Sequence, residues 1–122
     1  MAMPQGMITT HILDVSIGKP AQGVGVNLSQ LGAKATWEVI ARGITDSDGR
    51  VRDLVSSPVK PGAYRLSFEV APYFTNRGID CFYPKIEVMF KVEEFGSGGP
   101  RADHYHVPLL VSPFGYSTYR GS

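Results

Sequence analysis

The chain has 122 residues, 43% of them hydrophobic and 19% charged, which describes one globular domain and excludes a disordered chain. Its formal net charge of +1 comes from 12 basic and 11 acidic residues scattered without a basic stripe, which argues against nucleic acid as a partner. No apolar run approaches the ~20 residues of a membrane span, and the single cysteine, Cys81, cannot form an internal disulfide and reads as a small, buried or half-buried thiol.

Residues 1–6 have neither the basic region nor the apolar run of a signal peptide. They read as a disordered leader or a cloning remnant, with residues 7–122 as the domain. The ending Arg120-Gly121-Ser122 is unlike the Ser-Lys-Leu peroxisomal address, so the cytoplasm is the expected location.

Met7 to Asp14 is rich in β-branched residues and stops before the turn-forming Gly18-Lys19-Pro20, which predicts a first strand. From Gly23 to Leu31, Val24, Val26 and Leu28 alternate with Gly25, Asn27 and Ser29, a second strand with a period of two. A third run, Thr36 to Thr45, is closed by Asp46-Ser47-Asp48-Gly49, whose composition suits a tight turn with a positive φ. A short fourth strand is expected at 50–54, ahead of a loop broken by Pro58 and Pro61.

The clearest alternation sets Tyr64, Leu66, Phe68 and Val70 against Ala63, Arg65, Ser67 and Glu69, and it recurs with Ile86, Val88, Phe90 and Val92. Between these two strands, Pro72 to Ile79 reads as about two turns of helix, since proline is tolerated in a first turn and Gly78 suits an end. Glu94 to Ala102, with Gly96, Gly98, Gly99 and Pro100, reads as a mobile loop. His104 to Ser112 and Tyr116 to Arg120 complete eight short strands without βαβ alternation. The fold class is therefore all-β, an eight-stranded two-sheet sandwich with one short helix.

Histidine is the side chain best suited to proton exchange near neutral pH, and the chain has three: His11, His104 and His106. Strand geometry puts His104 and His106 on one face, with Tyr105 and Val107 on the other. Such a pair is compatible with plain surface histidines or with the start of a zinc site completed by His11. Taken alone, His11 in its apolar setting reads as a core histidine, and Arg50 as a surface arginine. Asp46 and Asp48 read as turn formers. Nucleophile elbows, phosphate loops and dinucleotide fingerprints are absent from the sequence.

Several segments together resemble the transthyretin family, and within it the 5-hydroxyisourate hydrolases. They are Thr10-His11-Ile12-Leu13-Asp14, Gly18-Lys19-Pro20-Ala21, Thr45-Asp46-Ser47-Asp48-Gly49-Arg50, Gly62-Ala63-Tyr64-Arg65 and Phe82-Tyr83-Pro84. The most specific are His104-Tyr105-His106-Val107-Pro108-Leu109-Leu110 and the terminal Tyr119-Arg120-Gly121-Ser122. The hormone-carrier branch lacks the histidines and that ending.

The resemblance implies a transthyretin-like sandwich, a homotetramer built as a dimer of dimers, and active sites in the channel between dimers. It also implies a cofactor-independent hydrolysis of 5-hydroxyisourate to 2-oxo-4-hydroxy-4-carboxy-5-ureidoimidazoline, with no metal. Carried over by position, the expected catalytic residues are His11, Arg50, His106 and the terminal Ser122. The expected substrate-binding residues are His11, Arg50, Tyr119 and Arg120. His104 is expected only to support His106. A ligand carrier without catalysis, a zinc-dependent hydrolase and a purely structural sandwich are the competing expectations.

Overall fold

The computed structural model describes residues 7–52, 54–55, 58–93 and 104–122. The expected leader at 1–6 and mobile loop at 94–102 lie outside the described residues. Two four-stranded sheets pack face to face. The first has the order β2 (Lys19–Pro20), β1 (Met7–Asp14), β7 (His104–Ser112), β8 (Gly115–Thr118). The second has the order β4 (Trp37–Ile44), β3 (Gly25–Leu31), β5 (Gly62–Glu69), β6 (Ile86–Val92).

The period of two decides which side chains meet between the sheets. From β1, Ile8 and Ile12 are buried; from β7, Tyr105, Val107, Leu109 and Val111. The facing sheet contributes Val26, Leu28, Tyr64, Leu66, Phe68 and Ile86. Inward polar groups are satisfied: the Thr10 hydroxyl donates to the Val107 carbonyl at 2.7 Å, and Asp14 accepts the Tyr73 hydroxyl at 2.8 Å. That alternation turns His11 outward, half-buried on the far face of the first sheet. It is not a core histidine, because Ile12 holds the inward position.

β1 pairs in parallel with β7 over the whole length of β1, with Thr9 opposite His106 and His11 opposite Pro108. Parallel neighbours need a long crossover, so this contact joins residues nearly a hundred positions apart.

Several elements differ from the sequence expectation, including the last strand, which is Gly115–Thr118 rather than Tyr116–Arg120. Among the described residues of the expected fourth strand at 50–54, only an isolated bridge, His11 with Arg50, is formed. Val51 is buried in the core, where its Cγ1 occupies the space a side chain at Gly43 would need. Lys19–Pro20, read as a turn, instead pairs with Leu13 and Asp14 as β2. The helix α1 spans Val70–Thr75, beginning and ending earlier than expected. Its register is set by Val70, Tyr73 and Phe74, which are buried at helical spacing. Gly78, with φ of 72°, ends the turn that follows. Among the described residues no helix is long and apolar enough to cross a membrane.

Candidate active site

The site begins with the Asp46–Arg50 turn. The Asp46 amide donates to the Arg50 carbonyl at 2.8 Å, and the Gly49 amide to the Asp46 carbonyl at 2.9 Å. One carboxylate oxygen of Asp46 accepts the amides of Asp48 at 2.9 Å and Arg50 at 3.1 Å. The Arg50 amide is the main reason that the Asp46 carboxyl sits below its usual range. Gly49 has φ of 76°, and a Cβ there would run into the Ile12 carbonyl and stand 3.3 Å from the His11 ring. Only glycine meets both conditions. The Ile12 amide donates to the Gly49 carbonyl at 2.8 Å, which fastens the turn to β1 and sets Arg50 beside His11.

His106 stands on the same outer face, diagonal to His11. It is half-buried, whereas His104, two residues before it, is exposed. Burial is the first cause of a lowered His106 pKa, followed by the positive charge of Arg50 and then by His104 and His11. Both effects disfavour the imidazolium and so favour the neutral ring, the form that can accept a proton. A hollow of about 280 Å³ lined by Thr9, Thr10, Arg50, Val51 and Arg52 opens at this face.

Beyond β8 the chain runs on beside β7. The Thr118 hydroxyl donates to the Pro108 carbonyl at 2.7 Å, and the Gly121 amide to the His106 carbonyl at 2.8 Å. Arg120 donates to the His104 carbonyl at 3.1 Å and lies over the Tyr105 ring, 4.7 Å from its centroid. The guanidinium thus fastens the tail to β7. Tyr119 is exposed and borders a recess of about 160 Å³ shared with Phe90, Tyr105 and His106. Ser122 is exposed at the end of the tail.

Gly121 is buried against the His106 ring. A Cβ there would overlap Cδ2 and come within 3.2 Å of both His106 Cγ and Pro108 Cγ. Gly121→Ala is therefore expected to displace either the imidazole or the tail. A displacement near 1 Å at a reacting group costs up to about a hundredfold in rate, so kcat/KM should fall roughly tenfold to a hundredfold while thermal unfolding changes little. Paired turnover and melting measurements check this, and an Ala variant with wild-type kcat/KM would contradict it.

Of the residues singled out from sequence, His11, Arg50 and His106 are brought together on one face, and the tail carrying Tyr119, Arg120 and Ser122 lies alongside. Two further residues, Thr9 and Gly121, touch His106 and were not singled out. Thr9 shares a face with His11 by simple alternation, but the β1–β7 register that sets it against His106 is not written in local sequence. Among the described residues no group of three or more His, Cys, Asp or Glu side chains is placed to hold a metal ion.

The profile of the HIUase/Transthyretin family matches residues 8–121. The chain belongs to that family. It is 41% identical to the 5-hydroxyisourate hydrolase of Mus musculus, over all of both chains. It is also 42% identical to the enzyme of that name from Halalkalibacterium halodurans, covering 96% of this chain and 98% of the relative. Among solved structures, the 5-hydroxyisourate hydrolase of Klebsiella pneumoniae superposes with a TM-score of 0.81 at 34% identity, over 100% of this chain and 98% of that one. Transthyretin from Sparus aurata superposes with a TM-score of 0.86 at 35% identity, over 96% and 97%. Backbone likeness is thus similar for both branches of the family, and the distinction between them rests on side chains.

Proposed function

We propose that the chain hydrolyses 5-hydroxyisourate to 2-oxo-4-hydroxy-4-carboxy-5-ureidoimidazoline in urate degradation. The observation that carries the reading is the convergence of the half-buried His106 with His11 and Arg50 on one face, closed by the C-terminal tail. His106, aided by His11, takes a proton from water as it attacks the ring carbonyl. The Arg50 guanidinium binds the oxygen-rich anion and stabilises the charge that grows on the carbonyl oxygen. Collapse of the tetrahedral adduct breaks the ring C–N bond, and the proton passes to the leaving nitrogen. Tyr119 and Ser122 hold the substrate ring, with Arg120 supporting by fixing the tail. The reaction needs no cofactor and no metal, because a neutral imidazole and a fixed guanidinium supply the base and the oxyanion partner.

The chain is further proposed to act as a homotetramer, a dimer of dimers, in the cytoplasm. Two features support assembly: β6 and β8 are each the last strand of their sheet, and Met89 and Phe114 are more than 60% exposed. Open edges and large exposed apolar groups are the features that subunit contacts cover. The single Cys81 suits a reducing compartment.

The deciding experiment is an ultraviolet assay on freshly made 5-hydroxyisourate. The intact chain is expected to accelerate ring opening well beyond spontaneous decay. A chain that binds the compound but leaves its decay unchanged is a carrier, and the hydrolase reading fails.

A further inference from the structure

His104 and Thr9 have no part in the chemistry above, yet Thr9 is hydrogen-bonded to His106 and His104 is linked to it through Thr9. The Thr9 hydroxyl oxygen lies 2.8 Å from His106 Nδ1 and 3.3 Å from His104 Nε2. The neighbouring Thr10 hydroxyl is turned inward to the Val107 carbonyl, so Thr9 is the member of the pair that serves the histidines. The arrangement follows from register: Thr9 is directly opposite His106, and His104 reaches the same oxygen from two residues earlier on the same face of β7.

We propose that Thr9 and His104 are positioning residues for His106: Thr9 holds its tautomer, and His104 is the outer station of a proton relay through Thr9. The inference deepens the hydrolase reading and rests on His106 as the base. A hydroxyl has one proton and two lone pairs, and a neutral imidazole has one N–H and one bare nitrogen. For Nε2 of His106 to be bare and ready to accept, Nδ1 must carry the hydrogen and donate it to Thr9. The proton of Thr9 is then directed to Nε2 of His104.

The relay balances at each step. As Nε2 of His106 takes the proton of the attacking water, its Nδ1 proton moves to the Thr9 oxygen and the Thr9 proton moves to Nε2 of His104. His106 is again neutral, Thr9 is unchanged and His104 is the cation. When Nε2 of His106 delivers its proton to the leaving nitrogen, the three transfers reverse.

The advantage is electrostatic. An imidazolium at His106 would be half-buried and would face Arg50 from the turn, His11 from β1 and His104 on its own strand. Lys91 of β6 and Arg120 of the tail border the adjoining recess. At exposed His104 the same charge keeps its hydration and is screened.

The test combines ¹⁵N NMR of the imidazoles with turnover on the full chain. In the wild type His106 should be the Nδ1–H tautomer at neutral pH. Thr9→Val should lose that bias and lower kcat roughly tenfold to a hundredfold, within the range of general base catalysis, with KM little changed. Thr9→Ser should restore both. His104→Gln keeps a hydrogen-bond partner for Thr9 but cannot ionise, so kcat should fall, and added imidazole should bring it back. Wild-type nitrogen shifts and kcat in Thr9→Val overturn the positioning role, and wild-type kcat in His104→Gln across the pH range overturns the relay. Should Thr9→Val fail to fold, His104→Gln decides alone. The nitrogen shifts are read without substrate, so they judge the tautomer independently of whether the chain hydrolyses 5-hydroxyisourate.

Discussion

Replacing His106 with alanine is expected to lower kcat/KM on 5-hydroxyisourate by about a hundredfold to ten-thousandfold, the range in which a positioned general base contributes. The side chain is half-buried on an outer face and fills no part of the core between the sheets, so the folded chain should survive the change. The pH profile separates lost chemistry from lost structure. In the wild type, activity should fall on the acid side as His106 takes up a proton, at a pH below the ordinary histidine value because burial and Arg50 resist the charge. The residual activity of the alanine variant should lack that limb.

Stability should follow the same group. Below about pH 6.5 the unfolded chain binds the proton at this histidine more readily than the folded chain. Stability therefore rises with pH through this window and is lost as the pH falls, and His106→Ala should weaken that dependence. Denaturant titrations at several pH values read it directly. A variant retaining both the acid limb and wild-type turnover would remove His106 from the proposed chemistry.

Arg50→Gln is the second large effect. Loss of one preorganised partner for a developing oxyanion costs about a hundredfold to a thousandfold in kcat, and that is the fall expected here. A second consequence distinguishes the charge of Arg50 from its shape. Arg50 is one of the groups holding the His106 pKa down, so removing its charge should raise that pKa and move the acid limb to higher pH. Arg50→Lys keeps the charge but not the planar fork, so the limb should stay near its wild-type position while kcat remains low. The same acid limb in Arg50→Gln as in the wild type would mean that the guanidinium does not act on the imidazole.

Much of this was readable along the chain. The alternation in residues 64–70 and 86–92 marks β5 and β6 almost to their ends, because a strand buried on one face must repeat with a period of two. Asp48-Gly49 announced a positive φ, and Gly49 has one. The pairing of His104 and His106 on one face follows from the same alternation. The short elements were less legible. Lys19–Pro20 became a strand through a hairpin closed by Gly18, whereas Arg50 forms a single bridge and Val51 is drawn into the core. At residue 51 a tertiary contact outweighed local preference, whereas β2 formed through a local hairpin.

The sequence by itself determined the class of fold, the faces of the strands and the chemical types available: three imidazoles, a turn arginine, and a tail ending in Tyr119-Arg120-Gly121-Ser122. Only the tertiary structure decided which of them meet. Parallel pairing of β1 with β7 sets Thr9 against His106, the Gly49 carbonyl ties Arg50 to His11, and the Gly121 amide ties the tail to the His106 carbonyl. The first two contacts join segments far apart in the chain, and their register depends on how the two sheets bury their apolar faces, a property of the whole core that no local pattern of residues contains; the third continues the register of the β7–β8 hairpin.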